Sequence, residues 1–366
     1  MGKYIYEWQD WTNFTWDSEK ILPLIAQVSA ARGLFLGKME LLGLISQDEI
    51  HLSAMTDEIA KSAKIEGEDL DIRQIRSSVA HRLGIELDES VTSERNVDGI
   101  VEATLDAIHN SASPLTKQRL CAWQAALFPS GYSGLRQIVV GRYRDDSCGE
   151  MQVVSGAFGR QKVHYQAPPA KDLEREMSRF LIWFNQEANL EPVLKALVAH
   201  LWFVTLHPFE DGNGRLARII SEMQLTKTDG TTKRFYSLSA RIEKEKKMYY
   251  QVLEHTQRGG RDITPYLTWS LNCLAEAIKT SEQNWRLVIA KHRLLHSIPG
   301  YQPNPRQKKI VDMLFNGFKG HLTTSKYALI TKTSQDTATR DIAQLVLWGI
   351  LAKVGGGRSS HYQLSI

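Results

Sequence analysis

The sequence predicts a mainly α-helical protein with one β-hairpin in its body and a smaller helix-and-hairpin module at its C-terminal end. Helical periodicity is common: residues 18–43 and 172–188 carry apolar residues at three- and four-residue spacing, as an amphipathic helix requires. Strand-like runs are scarce, and the clearest pair, 152–154 and 162–165, flanks a Gly-containing turn. A proline-containing segment at 297–306 then separates the body from the C-terminal module.

The bulk composition is that of a globular protein with two or three domains. Of 366 residues, 42% are hydrophobic and 23% are charged, and no apolar run is long enough for a membrane helix. The N-terminus has no signal-peptide core, so no membrane association is expected. Three scattered cysteines form no CxxC pair. A reducing cytoplasm is therefore the expected compartment.

The net charge of +4 is unevenly distributed along the chain. Residues 301–366 carry nine Lys or Arg against three Asp, or +6, whereas the remainder carries 36 bases against 38 acids, or −2. The module reads as helix, short helix, helix and Gly-tipped hairpin, which is the element order of a winged helix. Such a module either binds DNA through phosphates or serves as a protein-docking or homodimer-forming unit, and the sequence leaves both open.

The third helix of this module, residues 334–351, would be the recognition helix, with Ser334 as its N-cap. Its exposed polar residues would reach phosphates or base edges, and two further bases flank the wing tip. The candidates are Lys332, Gln335, Thr337, Thr339 and Arg340 around the helix, with Lys353 and Arg358 at the wing.

The stretch "LHPFEDGNGRLARII" (206–220) carries far more chemistry than a turn between helices requires. The preceding helix is predicted to end near Leu206, which puts His207 at the start of a loop. Gly212 and Gly214 allow a sharp turn and a close approach to the backbone amides. A new helix is predicted to begin at about Gly214, where unpaired N–H groups and the positive end of the helix dipole form an anion site.

The charged residues of this stretch suit a nucleotide. Arg215 and Arg218 are three apart in the first turn of the new helix, and together they fit a polyphosphate. Asp211 offers a hard oxygen ligand for Mg²⁺. His207, with an ordinary pKa near ~6.5, can accept a proton at neutral pH. These residues predict a nucleotide phosphate site with a general base beside it.

The segment "HPFEDGNGRLAR" matches the signature of the Fic family at every specified position, so the body resembles a Fic helical-bundle core. The resemblance implies transfer of AMP from ATP, with Mg²⁺, to a Tyr, Ser or Thr hydroxyl of a target protein or of the chain itself. His207 would take the proton from that hydroxyl, Asp211 would hold Mg²⁺, and buried Phe209 would fix the loop. The phosphates would be bound by Gly212, Asn213, Gly214, Arg215, Leu216, Ala217 and Arg218.

Two flanking features agree with the resemblance. The hairpin at about 151–166 corresponds to the family's flap, whose edge residues Gln152, Val153, Val154 and Ser155 would pair with an extended target segment by strand addition. Downstream, "KMYYQVLEHTQ" resembles the family's Tyr-Tyr segment, so Tyr249, Tyr250 and Leu253 would form the adenine wall. The family often has Asn where Gln257 stands.

A second motif, Ser62-x-x-x-Glu66-Gly67, lies before the core. Ser62 and Glu66 share a face one helical turn apart. The pattern resembles the family's inhibitory helix, expected here at about 57–67, whose Glu would pair with Arg218 and prevent productive γ-phosphate binding. Gly67 would let the helix end.

The resemblance and the element order of the C-terminal module together predict an N-terminal helical domain over residues 1–100, a Fic core over 101–290 and a winged helix over 300–366. Three functions compete: an adenylyltransferase restrained by Glu66, a transcription regulator whose Fic body is only a sensor, and a hydrolase that removes AMP with the same site. Intact His207 and the full phosphate motif favour the two enzymes over the regulator.

Overall fold

The computed structural model describes residues 4–365 apart from 88–89, 148, 156–161, 187–189, 297, 299–301, 316–317, 319 and 357–359. These residues form fourteen α-helices and three two-stranded antiparallel hairpins. The mainly α fold class is therefore confirmed. None of the helices in the described ranges is long and apolar enough to cross a membrane.

The chain divides into two compact units, residues 1–281 and 282–366. The first unit opens with a 3₁₀ turn at Ile5–Glu7. Its helices are α1 Ser18–Glu40, α2 Leu44–Ile65, α3 Ile72–Leu83, α4 Arg95–His109, α5 Lys117–Leu127, α6 Ala170–Asn185, α7 Pro192–Leu206, α8 Asn213–Asp229, α9 Leu238–Lys244 and α10 Lys246–Gln257. Helix α11, Thr264–His296, contains the boundary between the units.

Two hairpins belong to the first unit. The short strands β1 (Tyr132–Ser133) and β2 (Arg136–Gln137) form one, which the sequence analysis missed. The predicted flap strands are present as β3 (Gln152–Ser155) and β4 (Lys162–Gln166), with a register shift between Val153 and Val154. The turn that joins β3 to β4 lies outside the described residues.

The core of the first unit is built around α7. Every residue of α7 from Val193 to Leu206 is buried, as expected of a helix that is apolar on all sides. Helix α8 packs against it, and the Ser221 hydroxyl of α8 donates to the carbonyl of Ala196 at 2.8 Å. The loop between these two helices is thereby fixed at both ends, and it is the loop that carries the His207 motif.

Helix α2 is longer than the predicted inhibitory helix at 57–67, because it begins at Leu44 and ends at Ile65. Its buried face continues over the whole length, with Ile50, Met55, Ile59 and Ala63 in the core. Gly67 then adopts φ 91°, a left-handed conformation that favours glycine and ends the helix. Glu66, the C-cap residue, and the residues after it are consequently fixed to a rigid helix.

The second unit contains α12 (Pro305–Phe315), α13 (Thr324–Thr331), α14 (Gln335–Leu347) and the hairpin β5 (Leu351–Val354) and β6 (His361–Leu364). This is the element order that the sequence predicts for a winged helix. Ser334 accepts from the N–H of Thr337, as expected of its N-cap role. Helix α14 ends at Leu347, earlier than predicted, since Gly349 takes φ 72° and Leu351 already belongs to β5.

Candidate active site

His207 lies where the buried helix α7 ends and the motif loop begins. Its backbone is left-handed (φ 49°, ψ 57°), and its N–H donates to the carbonyl of Phe203 at 3.0 Å. Nδ1 lies 3.2 Å from the carbonyl oxygen of Val204. With the proton placed on Nδ1, Nε2 keeps its lone pair for a substrate proton. Burial lowers the pKa of His207 to about 4, so the imidazole is neutral, and able to act as a base, at pH 7.

Arg144 fixes the position of His207, although no sequence pattern singles it out. Its buried guanidinium donates from Nε to the carbonyl of His207 at 2.9 Å and from Nη2 to the carbonyl of Pro168. Its backbone N–H donates to the carbonyl of Pro208 at 3.0 Å. Because Pro168 lies just after strand β4, Arg144 links the base of the flap to the start of the motif loop.

The side chain of Asn213 closes the motif loop. Its Oδ1 accepts from the N–H of Phe209 at 2.9 Å, and its Nδ2 donates to the carbonyl of Phe209 at 2.8 Å. The Phe209 ring is fully buried, and Gly212 turns the chain with φ 88°. The Asn213 side-chain amide is engaged within the loop, and contact of Asn213 with phosphate stays a prediction. The backbone N–H of Asn213, in the first turn of α8, remains available for an anion.

Arg218 is held by the end of helix α2. Nε donates to the Ser62 hydroxyl at 2.8 Å, and Nη2 donates to the Ser62 carbonyl at 3.0 Å and to Glu66 Oε1 at 2.7 Å. The Arg218 side chain is only 3% exposed. Burial acts to lower the pKa of Arg218, but the Glu66 carboxylate together with Tyr249 and Tyr250 outweighs it and raises the pKa. Ser62 and Glu66 of the second motif therefore do lie beside Arg218, as predicted.

The carboxylate of Glu66 also covers the N-terminus of α8. A Cβ atom added to Gly214 would overlap with Glu66 Oε1, so the carboxylate lies directly against the glycine backbone. The first N–H groups of a helix have no partner within the helix, and they attract negative charge. Glu66 thus lies where a phosphate would bind.

A second carboxylate of the same segment contacts the other arginine of the motif. Glu68 Oε2 lies 2.8 Å from Nη1 of Arg215, whose guanidinium also lies over the ring of Phe128 at 4.9 Å. Burial raises the pKa of Glu68. Glu68 was not predicted from the sequence, although its position two residues after Glu66 in "EGED" is a visible signal.

Both motif arginines keep donors for a ligand. Arg218 Nη1 and Arg215 Nε are buried, and neither has a hydrogen-bond partner among the described residues. A buried donor without an acceptor is costly. Acceptor oxygens of a polyphosphate would satisfy both.

Asp211 is oriented by two contacts. Oδ1 accepts from the N–H of Gly212 at 2.5 Å, and Oδ2 accepts from the hydroxyl of Ser133 at the β1–β2 hairpin. Within the described ranges, no group of three or more His, Cys, Asp or Glu forms a metal cage. A single oriented carboxylate fits Mg²⁺ that is bound mainly through substrate phosphates and waters.

Tyr249 is buried beside Arg218, in helix α10. Its hydroxyl lies 3.0 Å from Nε2 of His200, whose Nδ1 lies 3.0 Å from the hydroxyl of Tyr266. His200 is buried in α7, in agreement with its interpretation as a core histidine, and burial lowers its pKa to about 3. His200 therefore positions Tyr249 instead of binding a ligand.

Tyr250 and Leu253 lie on the same helix as Tyr249. Tyr250 is 38% exposed, and its hydroxyl donates to the carbonyl of Ile65, the last residue of α2, at 2.9 Å. Leu253 is buried, and the Gln257 amide donates to the hydroxyl of Thr205 at 3.3 Å. The adenine wall remains a prediction, with Tyr250 as its exposed aromatic member.

Two parts of the chain match known families. Residues 114–225 match the Fic/DOC family, and residues 4–85 match a domain of unknown function (DUF4172). The protein adenylyltransferase Fic of Drosophila virilis is 30% identical over 131 residues, which are 34% of this chain and 25% of that protein. Its Drosophila melanogaster counterpart gives the same values. The match thus spans about a quarter of the length of these curated relatives.

Two solved structures share the fold. A Fic family protein from Desulfovibrio desulfuricans G20 superposes with a TM-score of 0.57 at 20% identity, over 94% of this chain and 95% of that one. Fic-1 from C. elegans superposes with a TM-score of 0.52 at 17% identity, over 74% of each chain. The fold and the family match agree with the residues assembled around His207, and residues 114–225 form a Fic/DOC family domain.

Proposed function

We propose that this chain is a protein adenylyltransferase that transfers AMP from ATP to a hydroxyl of a protein. His207 Nε2 takes the proton of the attacking hydroxyl, and the hydroxyl oxygen forms a bond to the α-phosphorus. The bond from the α-phosphorus to the bridging oxygen breaks, and pyrophosphate leaves. The fly relatives are protein adenylyltransferases of the Fic type, which supports this proposal at the level of the family.

The observation that carries the proposal is the arrangement around the N-terminus of α8. The N-terminus of α8 is surrounded by a neutral imidazole, two buried arginines and a set of free helix N–H groups. The carboxylates of Glu66 and Glu68 now lie there. Such a set binds a polyphosphate and removes a proton beside it. Asp211 would hold Mg²⁺, which would neutralise phosphate charge.

The same geometry supports restraint of the activity by the end of α2. The γ-phosphate needs Arg218, and Glu66 occupies that arginine at 2.7 Å and covers Gly214. The flap supports a protein acceptor, because an extended segment can pair with the β3 edge whatever its side chains. The acceptor would include the chain itself.

The test is incubation with α-labelled ATP and Mg²⁺, with and without Glu66→Gly, followed by mass spectrometry of the labelled peptides. We expect an AMP adduct on a Tyr, Ser or Thr, and more of it in Glu66→Gly. A matched control is Glu66→Gly combined with His207→Ala, which should bind ATP and leave no adduct. Loss of a preformed adduct without net labelling would identify the reverse reaction instead.

We propose a second function, weak binding of duplex DNA, for the second unit. Around the start of α14, Lys332, Gln335, Thr339 and Arg340 are exposed together, and Lys353 lies on β5. Wing residue Arg358 lies outside the described residues. A gel shift of the full-length protein on duplex DNA at ~50 mM salt tests this function. Self-association without a shift would instead identify a docking module.

A further inference from the structure

The flap is a two-stranded hairpin, and such hairpins are marginally stable unless something packs against them. One support for the flap is the contact of Tyr165 with the end of helix α7. Tyr165 of β4 is fully buried, and its hydroxyl donates to the carbonyl of Thr205 at 2.7 Å, two residues before His207. This contact fixes the end of β4 close to the candidate base.

A second support for the flap is the contact of β4 with Arg258, at the end of helix α10. Its Nε donates to the carbonyl of His164 at 2.9 Å, and its Nη2 donates to the carbonyl of Val163 at 2.8 Å. The planar guanidinium therefore binds two successive backbone carbonyls of β4 in a fork. A lysine in its place could not make both bonds in this fixed geometry.

Glu254, one turn earlier on α10, strengthens the same contact. Its Oε2 lies 2.7 Å from Nδ1 of His164, and its Oε1 lies 3.9 Å from Lys162 Nζ and 3.6 Å from Arg258 Nε. Burial acts to raise the pKa of Glu254, but the His164 hydrogen bond and the nearby positive charges outweigh it and lower the pKa. The carboxylate is therefore ionised at neutral pH and available to these partners.

The residues that hold the flap lie in one row with Tyr250. Tyr250, Glu254 and Arg258 follow each other at intervals of four, so they form one ridge of α10. Tyr250 contacts the carbonyl of Ile65 at the end of the restraining helix, and Arg258 contacts β4. A single rigid ridge thus connects the end of α2, the predicted adenine wall and the flap.

We infer that Arg258 is a positioning residue for the protein acceptor: it holds β4 so that the edge of β3, Gln152–Ser155, presents the acceptor hydroxyl to His207. The inference rests on the proposed function. Among the described residues β3 pairs with β4 only, which leaves its other edge for a target strand. Arg258 touches neither the phosphate motif nor the acceptor, so its loss should affect the acceptor step and spare nucleotide binding.

The test compares Arg258→Gln with Arg258→Lys in the full-length Glu66→Gly protein, with the chain itself as the acceptor. We expect self-labelling to fall by about ten- to a hundredfold in Arg258→Gln, since small displacements of reacting groups have effects of this size. ATP affinity and the release of AMP from ATP into water should stay within about twofold of the parent in the same assay, because neither uses the flap. Arg258→Lys should recover only part of the labelling.

Lys247→Ala is the matched control, because Lys247 is an exposed cation on the same helix that makes none of these contacts. Hydrogen exchange of the β3 and β4 amides gives a readout without activity, and it should quicken in Arg258→Gln but not in Lys247→Ala. Undiminished labelling with slow flap exchange in Arg258→Gln would overturn the inference, as would a parallel loss of ATP affinity. Absence of labelling in the Glu66→Gly parent would overturn the proposed function, and the inference with it.

Discussion

Glu68 forms an ion pair with Arg215, with Glu68 Oε2 and Arg215 Nη1 2.8 Å apart. Two residues earlier in the chain, Glu66 pairs with Arg218. The two carboxylates flank Gly67, whose left-handed backbone ends helix α2 between them. The segment after α2 therefore neutralises both arginines of the motif at once, as the phosphates of a nucleotide would.

Replacement of Glu66 by Gly should increase self-labelling. A hydrogen bond to a charged group contributes about 1.5–3 kcal/mol, so removal of the Glu66 contact should raise turnover by roughly 10- to 100-fold. The measurement is the initial rate of label transfer from α-labelled ATP. Arg218→Ala in the same background should reverse the gain. An unchanged rate in a soluble, folded Glu66→Gly protein would remove the restraint hypothesis.

Replacement of Glu68 by Gln should release the second arginine. In the Glu66→Gly background we expect the KM for ATP to fall by up to about fivefold, because Arg215 no longer has a competing carboxylate and a partly exposed pair of this kind contributes up to about 1 kcal/mol. Asp69→Asn removes the same charge one residue away and is the control. Equal effects of the two substitutions would mean that general charge, and not the Glu68–Arg215 pair, sets the affinity.

Replacement of His207 by Ala should abolish transfer and preserve nucleotide binding. Loss of a general base costs about 10²–10⁴ in rate. The phosphate contacts come from α8 and its arginines, so ATP affinity should stay within severalfold. Calorimetry and the labelling assay measure the two quantities separately. Full labelling by His207→Ala would exclude His207 as the base.

The pH dependence of kcat/KM provides a further check on His207. Its neutral form is the base, and activity is lost as pH falls through its pKa, which burial lowers to about 4. For the Glu66→Gly protein at saturating Mg²⁺ we therefore expect no acid limb from His207 between about pH 5.5 and 7.5. A histidine with the ordinary pKa of ~6.5 would lose about tenfold by pH 5.5. A limb near 6.5 would contradict an imidazole whose pKa is lowered to about 4.

The sequence predicted those parts of the molecule that depend on local patterns. The motif loop, the flap strands and the Ser334 N-cap follow from residue spacing and turn chemistry within a few positions of each other. The pairing of Glu66 with Arg218 spans 152 residues, and it was found only because the second motif resembles a known one. The spacing and charge of these residues alone would not have predicted that Glu66 contacts Arg218.

The contacts that were missed are long-range and have no local signature. Arg144 is 63 residues from His207, and Arg258 is 94 residues from His164. A surface arginine and a buried one look alike in sequence, because burial depends on which elements pack together. Helix α2 was predicted too short for a related reason, since tertiary packing along its length, and not the motif, sets its start at Leu44.

Neutralisation of Lys332 and Arg340 should weaken DNA binding by the second unit and change its salt dependence. Lys332, the C-cap of α13, and Arg340 of α14 are both exposed, within a module that carries +6. With about four phosphate contacts, the log–log salt slope should be near roughly −3.6, since each contact contributes about −0.9. In the full-length protein, Lys332→Gln with Arg340→Gln should therefore flatten the slope by about 1.8 and leave self-labelling intact.

The paired control is Lys20→Gln with Lys38→Gln on helix α1, which removes the same charge from the first unit. Two outcomes would show that Lys332 and Arg340 do not form a DNA-binding face. One is an equal flattening of the slope by the Lys332/Arg340 and Lys20/Lys38 double substitutions, and the other is the absence of a gel shift by the wild-type protein at ~50 mM salt.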